Sequence, residues 1–175
     1  MEEKQNFTIS VYTENKLGLL NRISGIFLKR HISISSLNVS GSEIEGVMRF
    51  VIVVHTTETW VKRIVGQIEK QIEVIRAYYH TDEETIFQET ALFKIASSLL
   101  FEERQIQNII KESHAEIVTV SPEFFVLSKS GRRDEIEALY DRFKPYGIMQ
   151  FVRSGRISVT KGQMPVTTIL KEFQH

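Results

Sequence analysis

The chain has 175 residues, enough for one domain of average size or for two small ones. Hydrophobic residues make up 42% and charged residues 25%, which is typical of a folded protein with packed cores and not of a disordered chain. The 22 basic and 22 acidic side chains cancel, so no overall field attracts nucleic acid or an anionic membrane. The absence of cysteine excludes disulfides, thiolate zinc sites and a cysteine nucleophile.

The first half of the chain alternates between strand and helix patterns. Strands are predicted at residues 7–12, 32–39, 47–54 and 74–79. One helix is expected between Gly18 and residue 30, and a second begins at Thr57 or Thr59 and continues to residue 72. The order βαββαβ is the split βαβ, or ferredoxin-like, arrangement. Residues 1–80 are therefore predicted to form one domain.

The second half repeats this order after a polar, acidic stretch. Residues 81–90 are the predicted linker, and residues 91–160 are the predicted second ferredoxin-like domain. Its strands are expected at 90–95, 115–120, 123–127 and 148–152, with helices around 106–110 and 136–143. The fold class is thus α+β. The tail, residues 161–175, has a weak apolar pattern that fits either a short helix or a mobile end, carried by Val166, Ile169, Leu170 and Phe173.

The turn into the first helix carries the clearest signal for a ligand. Gly18 has no Cβ to block an approaching molecule, and the unpaired amides in the first turn of a helix favour a negative group. This combination predicts a site for a small carboxylate. The competing interpretation is an ordinary capped helix start with Asn15 near the cap position.

The sequence has no pattern typical of metal binding, nucleophilic catalysis, nucleotide binding or RNA binding. The histidines His31, His55, His80, His114 and His175 have no metal-ligand spacing. Nucleophile-elbow, phosphate-loop and dinucleotide patterns are absent, and the third predicted strand lacks the aromatics and glycine of an RNA-binding motif. The charged N-terminus resembles no signal peptide and no segment reaches the length of a membrane span. We expect a cytoplasmic protein that binds neither nucleic acid nor membrane.

The chain resembles a known family, the small regulatory subunit of acetolactate synthase, also called acetohydroxyacid synthase. The N-terminal half resembles an ACT domain through its signature loop, Asn15-Lys16-Leu17-Gly18-Leu19-Leu20-Asn21-Arg22, followed by Gly25-Ile26-Phe27 and the strand from Ile34 to Val39. The second half resembles the C-terminal domain of that family at residues 89–95, 117–127 and 151–157.

The resemblance implies a subunit without catalysis of its own. Such subunits dimerise through their ACT domains and activate a large catalytic subunit in branched-chain amino acid biosynthesis. Thiamine diphosphate, magnesium and FAD are expected on that partner, and no cofactor is expected on this chain. In many members a branched-chain amino acid, most often valine, acts as feedback inhibitor.

The resemblance also implies site residues. An effector would be held between two ACT domains, by Asn15, Leu17, Gly18, Leu19 and Leu20 of one copy and by Ser33 and Ile34 of the other. The partner-docking residues by resemblance are Arg153, Ser154 and Arg156. By charge alone, a candidate docking patch for an acidic partner is formed by Arg132 and Arg133 with Arg153 and Arg156, and a solvated surface is the alternative.

This chain departs from the family at the second of these segments. Where the family usually has Arg-Gly-Tyr/Phe-Asn-Ile, residues 30–34 place Ser33 at the Asn position. A serine hydroxyl is shorter than an amide and offers one donor in place of two. The response to valine is therefore expected to be weak, altered or absent. Two other functions remain: a free-standing ACT-type amino-acid sensor, and a small catalyst, which the lack of convergent catalytic residues disfavours.

Overall fold

The structure is a computed structural model, and it describes residues 2–172. The described residues divide into two compact units, one formed by residues 2–86 with 156–172 and the other by residues 87–155. Each unit combines an antiparallel sheet with helices, so the predicted α+β class is confirmed. Among residues 2–172, no helix has both the length and the apolar content to cross a bilayer.

The first unit begins with the predicted order βαββαβ. Its elements are β1 (Gln5–Glu14), α1 (Leu19–Leu28), β2 (Ile34–Gly41), β3 (Val47–Thr56), α2 (Glu58–Ile68) and β4 (Val74–Thr81). The four strands form one antiparallel sheet in the order β2-β3-β1-β4, with β2 and β4 at its edges. Strand β2 starts two residues later than the sequence pattern predicts.

The two central strands and the two helices build the core of this unit. Ile9 of β1 lies opposite Ile52 of β3, and both are fully buried. The neighbours two residues away on each strand point to the same face, because side chains alternate along a strand. Helix α2 contributes a buried stripe made of Val61, Ile64, Val65 and Ile68. Thr57 caps this helix by accepting a hydrogen bond from the Trp60 amide. Of the two predicted starts, Thr57 and Thr59, the first is therefore confirmed.

The second unit has a similar order with one additional helix. Its elements are β5 (Thr85–Ala96), α3 (Ser97–Glu102), α4 (Arg104–Ser113), β6 (Glu116–Val120), β7 (Phe124–Gly131), α5 (Arg133–Phe143) and β8 (Gln150–Arg153). The strand order is β6-β7-β5-β8. The core is rich in phenylalanine: the ring of Phe93 lies 5.7 Å from that of Phe143 and 5.0 Å from that of Phe151.

Residues 81–90, predicted as a linker, instead form a 3₁₀ turn and the first part of a strand. Residues 82–84 form one 3₁₀ turn, in which Glu84 accepts hydrogen bonds from the Thr81 amide at 2.8 Å and from its hydroxyl at 3.1 Å. Strand β5 follows at once. Two of the first three positions on its inward face, Thr85 and Glu89, are polar and buried, so an apolar alternation shows the start of the strand only weakly.

The end of the chain returns to the first unit. Residues 156–160, predicted as part of the second domain, belong to the first unit and include β9 (Ile157–Thr160). The tail then forms α6 (Val166–Glu172), the helical one of the two alternatives, and Leu170 is fully buried against Tyr12, Ile44 and Val47. Two residues considered in the sequence, Phe173 and His175, lie outside the described residues.

Candidate functional site

Gly18 provides an open main chain at the start of α1. It is the N-cap residue, it has the left-handed angles φ 79° and ψ −5°, and no side chain caps the helix. A Cβ added at this position would meet no atom within 4 Å. The first amides of a helix lack acceptors within the helix and carry the positive end of its dipole. The geometry therefore suits a small anion.

Asn15 does not cap this helix, which corrects the competing interpretation. It is exposed and lies three residues before the cap, where its main-chain N–H donates to the carbonyl oxygen of Gly46 at 3.1 Å. The helix instead begins at a glycine because only a residue that accepts a positive φ easily fits the turn that leads into Leu19.

The three leucines of the loop have different environments. Leu19 is buried in the core of the first unit, so only its main chain can face a ligand. Leu17 is fully exposed and Leu20 is 44% exposed. The loop thus combines main-chain donors with two unburied aliphatic groups.

The nearby arginine is already paired. Arg22 Nη2 donates to Glu73 Oε1 at 2.6 Å, and this hydrogen bond lowers the pKa of Glu73 below its usual range. The Glu14 amide also donates to the Glu73 carbonyl oxygen at 2.9 Å, which fixes the loop to the start of β4. A carboxylate arriving at Gly18 would therefore meet main-chain amides before a free cation.

Ser33 and Ile34 lie beyond the other end of α1. Ser33 is exposed and precedes β2, while Ile34 opens that strand and packs against the core. His31, which stands where the family has glycine, has a left-handed φ of 53°. Ten helical residues span about 15 Å, so within one chain Gly18 and Ser33 are separated by roughly the length of α1.

Arg153 and Ser154 connect the end of β8 to β5 within the second unit. Arg153 Nε lies 3.4 Å from Oε2 of the buried Glu89, and Arg133 Nη2 lies 3.3 Å from Oε1. Arg153 Nη1 also donates to the exposed Glu137 at 3.2 Å. The Ser154 hydroxyl accepts from the Thr90 amide at 2.9 Å. These contacts bind the end of β8 to β5.

Arg156 is not on a surface, in contrast to the role implied by the resemblance. It is 8% exposed and belongs to the first unit. Its Nη1 donates to Asp82 Oδ1 at 2.6 Å and to Thr8 Oγ1 at 2.9 Å, while its amide donates to Ser36 Oγ at 2.9 Å. The three residues predicted for docking are therefore not brought together as one exposed group.

The first unit has the features of an ACT-type regulatory domain: two helices on one face of a β2-β3-β1-β4 sheet, with a glycine at the open start of the first helix. Residues 9–76 match the family model described as "AHAS small subunit-like ACT domain", and residues 88–162 match the one described as "Small subunit of acetolactate synthase".

Individual relatives agree with both models. The acetolactate synthase small subunit of Bacillus subtilis (strain 168) is 36% identical over 155 residues, which cover 88% of this chain and 90% of the relative. The protein of the same name from Mycobacterium bovis is 32% identical over 92% of this chain and 95% of its own length. The chain belongs to the acetolactate synthase small-subunit family, which confirms the family prediction over that of a free-standing sensor.

A solved structure supports the fold of the whole chain. The crystal structure of the acetolactate synthase small subunit from Thermotoga maritima superimposes with a TM-score of 0.81 and covers 91% of this chain and 99% of that one, at 23% identity. Two successive ferredoxin-like units are thus a shared architecture.

Glu89→Gln is expected to destabilise the second unit. The substitution removes the one negative charge that both Arg133 and Arg153 face at a buried position, so the free energy of unfolding should fall by about 1–3 kcal/mol. Glu137→Gln is the matched control, because that exposed partner of Arg153 should change stability by less than about 0.5 kcal/mol. Urea unfolding measures both, and equal midpoints for the two variants would contradict the assignment.

Proposed function

We propose that this chain activates the large catalytic subunit of acetolactate synthase and carries the response of that enzyme to a branched-chain amino acid. The observation that supports this most is the combination of an open Gly18 helix start in an ACT-type unit with a second unit that matches the family. Catalysis then belongs to the large subunit, where we expect thiamine diphosphate, magnesium and FAD.

The effector site is proposed to lie between two copies of the chain. Gly18 and Ser33 are separated by about 15 Å along α1, farther than one small amino acid reaches. Two copies would bring Gly18 of one beside Ser33 and Ile34 of the other. The edge strand β2 supports such pairing, since its Leu37 and Val39 are 37% and 39% exposed.

The contacts to valine follow from the chemistry of the loop. The carboxylate would accept hydrogen bonds from the main chain after Gly18, and the branched side chain would pack against Leu17 and Leu20. Binding changes the activity of the complex only if valine has different affinity for two arrangements of the subunits. A site that requires two copies meets this condition, because any change in their packing alters the site.

Docking to the large subunit is proposed for the second unit, near Arg153. About a quarter of its side chain is exposed, and Ser154 fixes the main chain beside it. Arg156 is expected to contribute by position alone, because its buried guanidinium holds the returning chain against the first unit.

Reconstitution with the acetolactate synthase large subunit of the same organism tests the proposal. Added protein should raise acetolactate formation with a saturable dependence, and the same amount of heat-unfolded protein is the control. An unchanged rate at saturating protein would exclude the activating role and would favour a sensor that regulates another protein.

Gly18→Asp should abolish the binding of valine. The new side chain places a carboxylate where the carboxylate of the ligand is expected, next to the same amides. Gly18→Asn is the control for the positive φ, because Asn and Asp are the non-glycine residues that tolerate it best. Titration calorimetry with valine, leucine and isoleucine compares the two variants. Valine binding that is unchanged in Gly18→Asp would refute the site.

Ser33→Asn should tighten the binding of valine. The amide restores a second hydrogen-bond donor, and one good hydrogen bond to a charged ligand corresponds to about a tenfold to hundredfold gain in affinity. Ser40→Asn, near the far end of β2, is the control and should leave the affinity unchanged. If Ser33→Asn gains nothing over Ser40→Asn, the second half of the site is organised by other residues.

A further inference from the structure

A separate cavity of about 440 Å³ lies within the first unit, away from the start of α1. Its floor is the face of the sheet opposite the helices, formed by alternate residues of three strands, Ser10 and Tyr12 of β1, Arg49 of β3, and Tyr78 and His80 of β4. Its roof is the returning chain between residues 158 and 168. The volume lies in the range of small-molecule sites.

Arg49 places a positive charge on the floor of this cavity. One of its terminal nitrogens, Nη2, donates to the carbonyl oxygen of Ser158, and its guanidinium carbon lies 5.9 Å from the centroid of the Tyr12 ring. Its Nε is buried and has no hydrogen-bond partner among the described residues. A buried donor without a partner is unfavourable by more than an ordinary hydrogen bond gains. The Arg49 side chain therefore keeps a donor that its bond to Ser158 does not use.

The carboxylate in the lining of this cavity, that of Glu43, accepts a hydrogen bond from Thr167. Glu43 Oε1 accepts from the Thr167 hydroxyl at 2.5 Å, and this hydrogen bond lowers the pKa of Glu43. Burial raises the pKa of Tyr12, so its phenol stays protonated at neutral pH and can donate. The floor thus offers donors beside Arg49, and Arg49 also contributes to the lowered pKa of Glu43. Because Glu43 already offsets part of the Arg49 charge, a ligand with two negative charges would be repelled more strongly than one with a single charge.

The roof supplies the apolar part of the cavity. Val159, Met164, Pro165 and Val166 line it opposite the polar floor. Most of this roof comes after residue 162, where the match to the family model ends. A ligand with one charged end and a short hydrocarbon body would satisfy both walls.

We propose that this cavity binds a small aliphatic monocarboxylate, with its carboxylate on Arg49 and its hydrocarbon beneath the roof segment of residues 158–168. The site uses the face of the sheet opposite α1 and only one copy of the chain. It is therefore separate from the effector site proposed at Gly18.

Titration calorimetry of the full chain with isobutyrate tests the proposal without the large subunit. The wild-type protein should show saturable binding, and Arg49→Gln should weaken it at least tenfold because a charge-assisted hydrogen bond is lost. Arg63→Gln is the matched control, since that arginine is exposed on α2 and stacks on Trp60 away from the cavity. It should bind isobutyrate like the wild type.

A second variant keeps the test decisive if Arg49→Gln does not fold. Tyr12→Phe removes only the hydroxyl of the phenol beside Arg49 and should weaken isobutyrate binding about threefold to tenfold. The absence of saturable binding to the wild type would overturn the proposal, and so would wild-type affinity in either folded variant, Arg49→Gln or Tyr12→Phe. Inorganic phosphate that binds as tightly as isobutyrate would overturn the assignment to a monocarboxylate. Because the titration uses this chain alone, none of these results depends on whether the chain activates a large subunit.

Discussion

The antiparallel pairing of β1 with β3 is the interaction from which the rest of the first unit follows. Their ten paired positions run from Gln5 opposite Thr56 to Glu14 opposite Val47. Because successive side chains point to opposite faces, this single register places Ile9 and Ile52 in the core and Tyr12 beside Arg49 on the other face. A slip of one residue would exchange the faces, and both the anchor for α1 and the floor of the cavity would be lost.

Arg156 attaches the returning chain to the face of that sheet opposite the helices. Its guanidinium reaches Thr8 on β1 and Asp82 in the turn after β4, and its amide reaches Ser36 on β2. The charge is almost fully buried, so it requires these partners, and such a requirement favours one geometry more than it adds stability. The returning chain is thereby placed where β9 and α6 can cover Tyr12 and the residues around it.

The two units show how one element order is satisfied by different side chains. The first uses aliphatic residues of α1 and α2 against β1 and β3, whereas the second uses clustered aromatic rings around Phe93. The second unit also buries Glu89 at an inward position of β5, where Arg133 and Arg153 neutralise it. A polar inward residue conceals a strand from an apolar periodicity, which is why the boundary between the units was the least predictable part of the chain.

What the sequence determined by itself is the local order of elements and the nature of the loop at Gly18. Alternation, helical spacing and a glycine before a helix are short-range patterns, and they predicted the α+β class and the order of elements in both units, apart from the additional helix α3. The family was predicted by the resemblance of the loop at Gly18 and of segments in the second half. Only the tertiary structure decided that Arg156 is buried, that the tail covers the first sheet, and that Arg49 Nε has no hydrogen-bond partner within residues 2–172. Each of these depends on residues more than 100 positions apart in the chain. Local patterns carry no information about which distant segment covers a given face, because an exposed strand face and a covered one can have the same alternation.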